Sequence, residues 1–182
     1  MTKDGKNKGK EGEMELAKIL ADMSRSFPCD FIRLTTTNTP DMGADFFLEA
    51  PPGFVDDVII PTANEKEPNI TPYSQESSSR KSRRKSETTR IDRKTTSYKI
   101  GITTAKKFIQ DCSKHPRCEK HMLMGGEDLT PKAKEIISSH PNARYVNNKG
   151  IEHLAYFFSE HALKEPENKN CLINKENDES ES

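Results

Sequence analysis

The chain has 182 residues, 29 Lys and Arg against 29 Asp and Glu, 31% hydrophobic and 32% charged side chains. That length holds one domain, and the apolar share is too small for the whole chain to enter a core, so a compact domain with solvated tails or a long loop is expected. No apolar run reaches the roughly 18 residues of a membrane span, the Lys-rich start lacks the apolar stretch of a secretory signal, and the cysteines are too sparse for a disulfide framework. A soluble intracellular protein is expected, cytoplasmic, or nuclear in a eukaryotic host, without a membrane partner.

From Lys10 to Met23, Met14, Leu16, Ala17, Ile19 and Leu20 recur at helical spacing among charged residues, which predicts an amphipathic helix. Ser26-Phe27-Pro28 breaks it, and Asp30 to Thr36 is β-branched and aromatic enough for a strand. Thr39-Pro40-Asp41-Met42-Gly43 has turn chemistry, and a second strand is predicted from Ala44 to Glu49, stopped by Pro51-Pro52-Gly53. Residues 55 to 88 read as a disordered, basic and Ser-rich insertion, despite the short apolar patch Val58-Ile59-Ile60. A third strand follows over Thr88–Lys94, then a helix over Ile102–Cys112, a strand over Lys120–Met124, and a helix opened by Thr130 as cap and Pro131 as first residue. Ala143–Val146 is a last strand, Gly150–Leu163 a last helix, and residues 164–182 a disordered acidic tail. Early strands joined by turns pair antiparallel and late strands separated by helices pair parallel, so the fold class is α/β with a mixed sheet and helices on both faces.

Strand side chains alternate, so Asp92 and Lys94 emerge on one face while Ile91 and Arg93 take the other. With the strand from Ala44 alongside, Asp45 points into the same space, and two converging carboxylates make a hard-oxygen site suited to Mg²⁺. Phosphodiester hydrolysis needs charge neutralised on phosphoryl oxygens and a water made nucleophilic, tasks a metal and a neighbouring ammonium share. Glu13, on the opening helix, is placed to add a metal or water contact.

The run Lys8-Gly9-Lys10-Glu11-Gly12-Glu13, then Pro40-Asp41-Met42-Gly43-Ala44-Asp45, then Asp92-Arg93-Lys94, resembles the PD-(D/E)xK nuclease superfamily, in particular Mrr-like restriction endonucleases and archaeal-type Holliday-junction resolvases. The likeness continues through Lys99-Ile100-Gly101-Ile102, Leu129 to Lys134 and Arg144 to Leu154, covering residues 8–163 apart from the 55–88 stretch. It implies a restriction-endonuclease-like fold and a metal-dependent endonuclease acting on DNA with Mg²⁺, for which Mn²⁺ can substitute. Asp45 and Asp92 are then metal ligands, Lys94 acts on the attacking water, and Glu13 matches the helix glutamate of part of the family. Asp41 competes with Asp45 for the metal role; Asp45 is favoured because it is expected inside the strand, where backbone geometry fixes its direction. A homodimer is a possible assembly, since two strands must be cut. Lys99–Phe108, the start of the Leu129 helix and Phe157–Leu163 also look like the N-terminal jaw domain of the fifth subunit of eukaryotic RNA polymerases, which implies the alternative of an inert scaffold; a DNA-binding module with a decayed site and no turnover is a third alternative.

Between Arg80 and Lys94 stand eight Lys and Arg against Glu87 and Asp92. Arg80, Lys81, Arg83, Arg84, Lys85 and Arg90 are therefore candidate phosphate contacts. Cys112, His115, Cys118 and His121 offer zinc-type ligands, but the first pair falls at a helix end, Pro116 interrupts, and His121 opens a strand, so the spacing does not favour one tetrahedral centre.

Overall fold

The computed structural model describes residues 8–34, 43–74 and 85–164. The first helix, α1 (Lys8–Ser26), buries Leu16, Ile19, Leu20 and Met23, a stripe at spacings of three and four residues. Met14 lies off that stripe and is exposed. Strands β1 (Asp30–Arg33), β2 (Phe46–Ala50) and β3 (Glu87–Lys94) form an antiparallel meander. Beyond it, β4 (Lys120–Gly125) and β5 (Ala143–Val146) pair parallel, reached through the crossover helices α3 (Ile102–Cys112) and α4 (Pro131–Ser138). The strands stand in chain order in one five-stranded mixed sheet, and α5 (Asn148–Lys164) closes the described chain.

Helices cover both faces. On one, Ile91, Met122 and Met124 of the sheet pack with Leu16, Leu20, Leu154 and Phe158 of α1 and α5. On the other, Leu123 packs with Ala105, Phe108, Ala133 and Ile137 of α3 and α4. Strand β3 lies in the middle, hydrogen-bonded on both edges and buried continuously from Thr89 to Asp92. A charged side chain there must find partners inside the protein. The Thr130 hydroxyl caps α4 by accepting from Ala133 N, as Thr-Pro at a helix start predicts. No helix among the described residues is long and apolar enough to cross a membrane.

The expected 55–88 insertion is corrected along most of its length. A π-helical turn over Val55–Ile59 runs into α2 (Ile60–Ala63), and Phe54, Val55, Val58 and Ile59 are all buried in the core beside α5. Burying such side chains is worth about 1.5–3 kcal/mol each before chain entropy, enough to order a segment whose average composition looked polar. Tyr73 is buried too, edge-on to Phe54 at 5.3 Å, its hydroxyl donating to Asp57 Oδ2 at 2.6 Å. Asp56 receives Lys120 Nζ and Arg144 Nε, each at 2.6 Å, and the bond from Arg144 is the chief reason its carboxyl lies below the usual range. Glu87 and Thr88 belong to β3. Residues 75–84 of the expected insertion, and the 165–182 part of the expected tail, lie outside the described residues.

Candidate active site

The site forms where β2 begins beside the end of β3. Phe46 pairs with Arg33 on one side and Ile91 on the other, so the strand starts in mid-sheet. Asp45 sits one residue before β2, not inside it as expected, yet its backbone is held from both neighbours. Its N–H donates to Ile91 O at 2.9 Å and its carbonyl accepts from Leu34 N at 2.8 Å. Its carboxylate is turned onto β3, where Oδ2 accepts the Arg93 backbone N–H at 2.6 Å. That bond sets Asp45 beside the residue preceding Arg93, Asp92.

Asp92 is 3% exposed, and Lys94 Nζ lies 2.7 Å from its Oδ1, the pair that strand alternation predicts. Lys94 keeps a third of its side chain in solvent, so the pair runs from a buried acid to an accessible ammonium. Gly125 of β4 stands opposite Lys94 with φ +128°, and a Cβ there would meet the Lys94 carbonyl oxygen. Glycine permits the close approach and the left-handed backbone together.

Asp45 is the perturbed acid. Burial, above all, pushes its pKa up to about 6, and the negative charges of Asp92 and Glu13 push the same way. The Arg93 N–H and the Lys94 ammonium only partly oppose this. Glu13 is near enough to act on Asp45 through its charge, but its Oε2 is held by Arg33 Nη2 at 2.8 Å. The structure therefore brings Asp45, Asp92 and Lys94 together and leaves Glu13 beside them in a pair of its own. Among the described residues no three His, Cys, Asp or Glu side chains gather as a metal-holding group. A two-carboxylate oxygen site suits a cation that keeps most of its waters, as Mg²⁺ does, and a cation there would relieve the pressure against ionising Asp45.

Asp41, the rival of Asp45 for the metal role, lies outside the described residues. The candidate phosphate contacts divide: Arg80, Lys81, Arg83 and Arg84 also lie outside them, and Lys85 is exposed just before β3. Arg90 is corrected: it is fully buried, and as a residue of the central strand it points into the α3 face instead of towards solvent. Its guanidinium donates to Gly43 O at 2.6 Å, Phe108 O at 3.3 Å and His121 Nδ1 at 3.2 Å, and stacks 4.7 Å from the Phe108 ring centre. By holding Gly43 it also anchors the approach to Asp45. Cys112 and His121 take part in that cluster. Arg90 Nη2 reaches Cys112 Sγ at 3.7 Å, while burial and then the Arg90 charge pull His121 down to about 4. The His115 ring packs instead against Phe47 at 5.5 Å.

Sequence reasoning missed three contributions to the site: the Arg33 partner of Glu13, the Arg93 N–H on Asp45 and the Arg90 clamp on Gly43. Only the last had a signal, because Arg90 shares the parity of Asp92 and Lys94 on its strand. Comparison with models of known protein families gives no match, and comparison with curated proteins gives none either.

Proposed function

We propose that this chain is a metal-dependent endonuclease that hydrolyses DNA phosphodiester bonds, built on a restriction-endonuclease-like version of its mixed sheet. The observation that carries the reading is the meeting of Asp45 with the Asp92–Lys94 pair, in which a half-buried acid is kept hard to ionise by desolvation and by like charges. A scaffold gains nothing from such an arrangement, whereas perturbed acids in contact with a charged partner concentrate at catalytic sites. The order of Glu13, Asp45, Asp92 and Lys94 along the chain, matching the superfamily pattern, supports the same assignment.

Asp45 and Asp92 would hold Mg²⁺, and Glu13, once released by Arg33, would assist from α1. Once bound, the ion supplies Lewis-acid polarisation of the phosphoryl group and a more acidic water. Lys94, held by Asp92 at 2.7 Å with its ammonium at the rim, donates to the attacking water and offsets charge growing on the non-bridging oxygens. The Arg93 N–H fixes the Asp45 carboxylate, so its orientation does not depend on the ion.

The test is incubation with duplex, nicked, branched and single-stranded DNA in Mg²⁺ or Mn²⁺. At least one substrate is expected to be cut, with activity lost in a chelator and reduced on the order of 10³-fold or more by Asp92→Asn. Failure to cut any of them, or undiminished cutting by Asp92→Asn, overturns the assignment.

A further inference from the structure

A cleft of about 440 Å³ opens between α1, α5 and the segment that follows Lys94, on the face of the sheet that carries the Arg93 side chain. That volume falls within the range of small-ligand pockets, roughly 300–1,000 Å³. Arg93 joins the cleft to the proposed catalytic site: its backbone N–H holds Asp45 while its side chain lines the cleft. The side chain is 5% exposed, with Nη1 donating to Lys94 O at 2.8 Å and Nη2 lying 3.5 Å from the half-exposed Glu15. Its buried Nε has no hydrogen-bond partner.

The wall is preformed. Asn148, at the start of α5, donates to Thr96 O at 2.7 Å and so ties the helix to the segment after Lys94. Tyr98 is anchored through its backbone, its N–H donating to Thr96 Oγ1 and its carbonyl accepting from Glu127 N, yet the residue is 79% exposed. A large ring in solvent on a fixed backbone is a stacking platform. The charges of Lys8 and Arg93 are matched by Glu15 and Glu152, leaving hydroxyl and amide groups as the main polar lining. That balance suits a nucleobase with its sugar better than a bare phosphate.

We propose that this cleft receives one unpaired nucleotide of the DNA strand being cut, its base stacked on Tyr98 and its polar edge meeting Arg93 and the neighbouring hydroxyls. A base inside a duplex is paired and stacked and cannot enter, so the substrate class is DNA with unpaired nucleotides beside the scissile phosphate. The inference rests on the nuclease reading in naming DNA as the ligand, but it is tested by binding alone.

The experiment is fluorescence anisotropy of a labelled oligothymidine strand and of a blunt duplex of equal length, both in EDTA, with thymidine 5′-monophosphate as competitor. The single strand is expected to bind more tightly than the duplex. Tyr98→Ala weakens single-strand binding by about 5- to 100-fold, as loss of one base–aromatic stack does, and leaves the duplex unaffected. Tyr98→Phe retains the stack and restores single-strand binding, and because the ring is exposed neither change alters the melting temperature. Single-strand affinity indifferent to Tyr98→Ala overturns the proposal, as does Tyr98-dependent capture of the mononucleotide without the oligonucleotide. Tyr98-dependent binding with no cleavage of any DNA refutes the nuclease reading alone, while cleavage with Tyr98-independent binding refutes the cleft alone.

Discussion

Two charged groups on the same face of β3, Arg90 and Asp92, are both withdrawn from water and have opposite surroundings. Arg90 is closed in by two backbone carbonyls, an imidazole nitrogen and an aromatic face, a set that satisfies a planar cation from several sides. Asp92, two residues along, meets one ammonium and a second carboxylate whose own ionisation is hindered. Burial of charge is thus no guide to role by itself. What separates these two charges in this molecule is whether the neighbours complete the group or leave it in competition.

That contrast can be broken first at Arg90. Arg90→Met should lower stability by about 3 kcal/mol, because the buried hydrogen bonds to Gly43 O, Phe108 O and His121 Nδ1 and the stacking on Phe108 are lost together; urea denaturation measures it. The same variant, where folded, should leave the salt dependence of DNA binding unchanged, since the guanidinium never reaches solvent. A stable Arg90→Met protein would return Arg90 to the surface role that its basic neighbourhood suggests.

Asp45 should respond with the opposite sign. Its pKa is raised from 3.8 to about 6, so the native state holds the proton more tightly than the unfolded chain. Its favourable contribution is complete below pH 4, fades as pH rises and is gone above about 6, where the ionised group is a burden. Asp45→Asn keeps an acceptor for the Arg93 N–H without the charge. In metal-free buffer it should match the wild type near pH 4 and exceed it at pH 7.5 by up to about 2 kcal/mol, a figure already reduced for partial access of water. Paired denaturation curves at the two pH values decide it, and equal stability at both would mean that Asp45 is not under electrostatic pressure.

The smallest expected effect is at Lys85, exposed just before the strand. Lys85→Ala should reduce the slope of log affinity against log salt for DNA by about 1, as loss of one phosphate contact does. An unchanged slope would confine phosphate contacts to other residues.

Much of this fold was legible in the sequence because its elements announce themselves locally. The Thr130-Pro131 start, the apolar spacing of α1 and the Ile102–Cys112 helix needed no tertiary information. Asp92 and Lys94 were legible through strand alternation alone. The segment after Phe54 was not, because four apolar side chains within six residues were averaged with the polar run that follows them. Arg90 was misread because a basic neighbourhood along the chain says nothing of depth in the sheet, which pairing on both edges of β3 determines. The Arg33–Glu13 and Arg93–Asp45 contacts join residues 20 and 48 positions apart, separations that no local pattern encodes.

The central claim is that Asp45 and Asp92 share one divalent ion, and titration with Mn²⁺ followed by electron paramagnetic resonance tests it most directly. The account predicts one site per chain, lost in both Asp45→Asn and Asp92→Asn, and weakening as pH falls below about 6, where Asp45 takes up its proton. Mn²⁺ binding that survives either substitution, or that is indifferent to pH across that range, would contradict it.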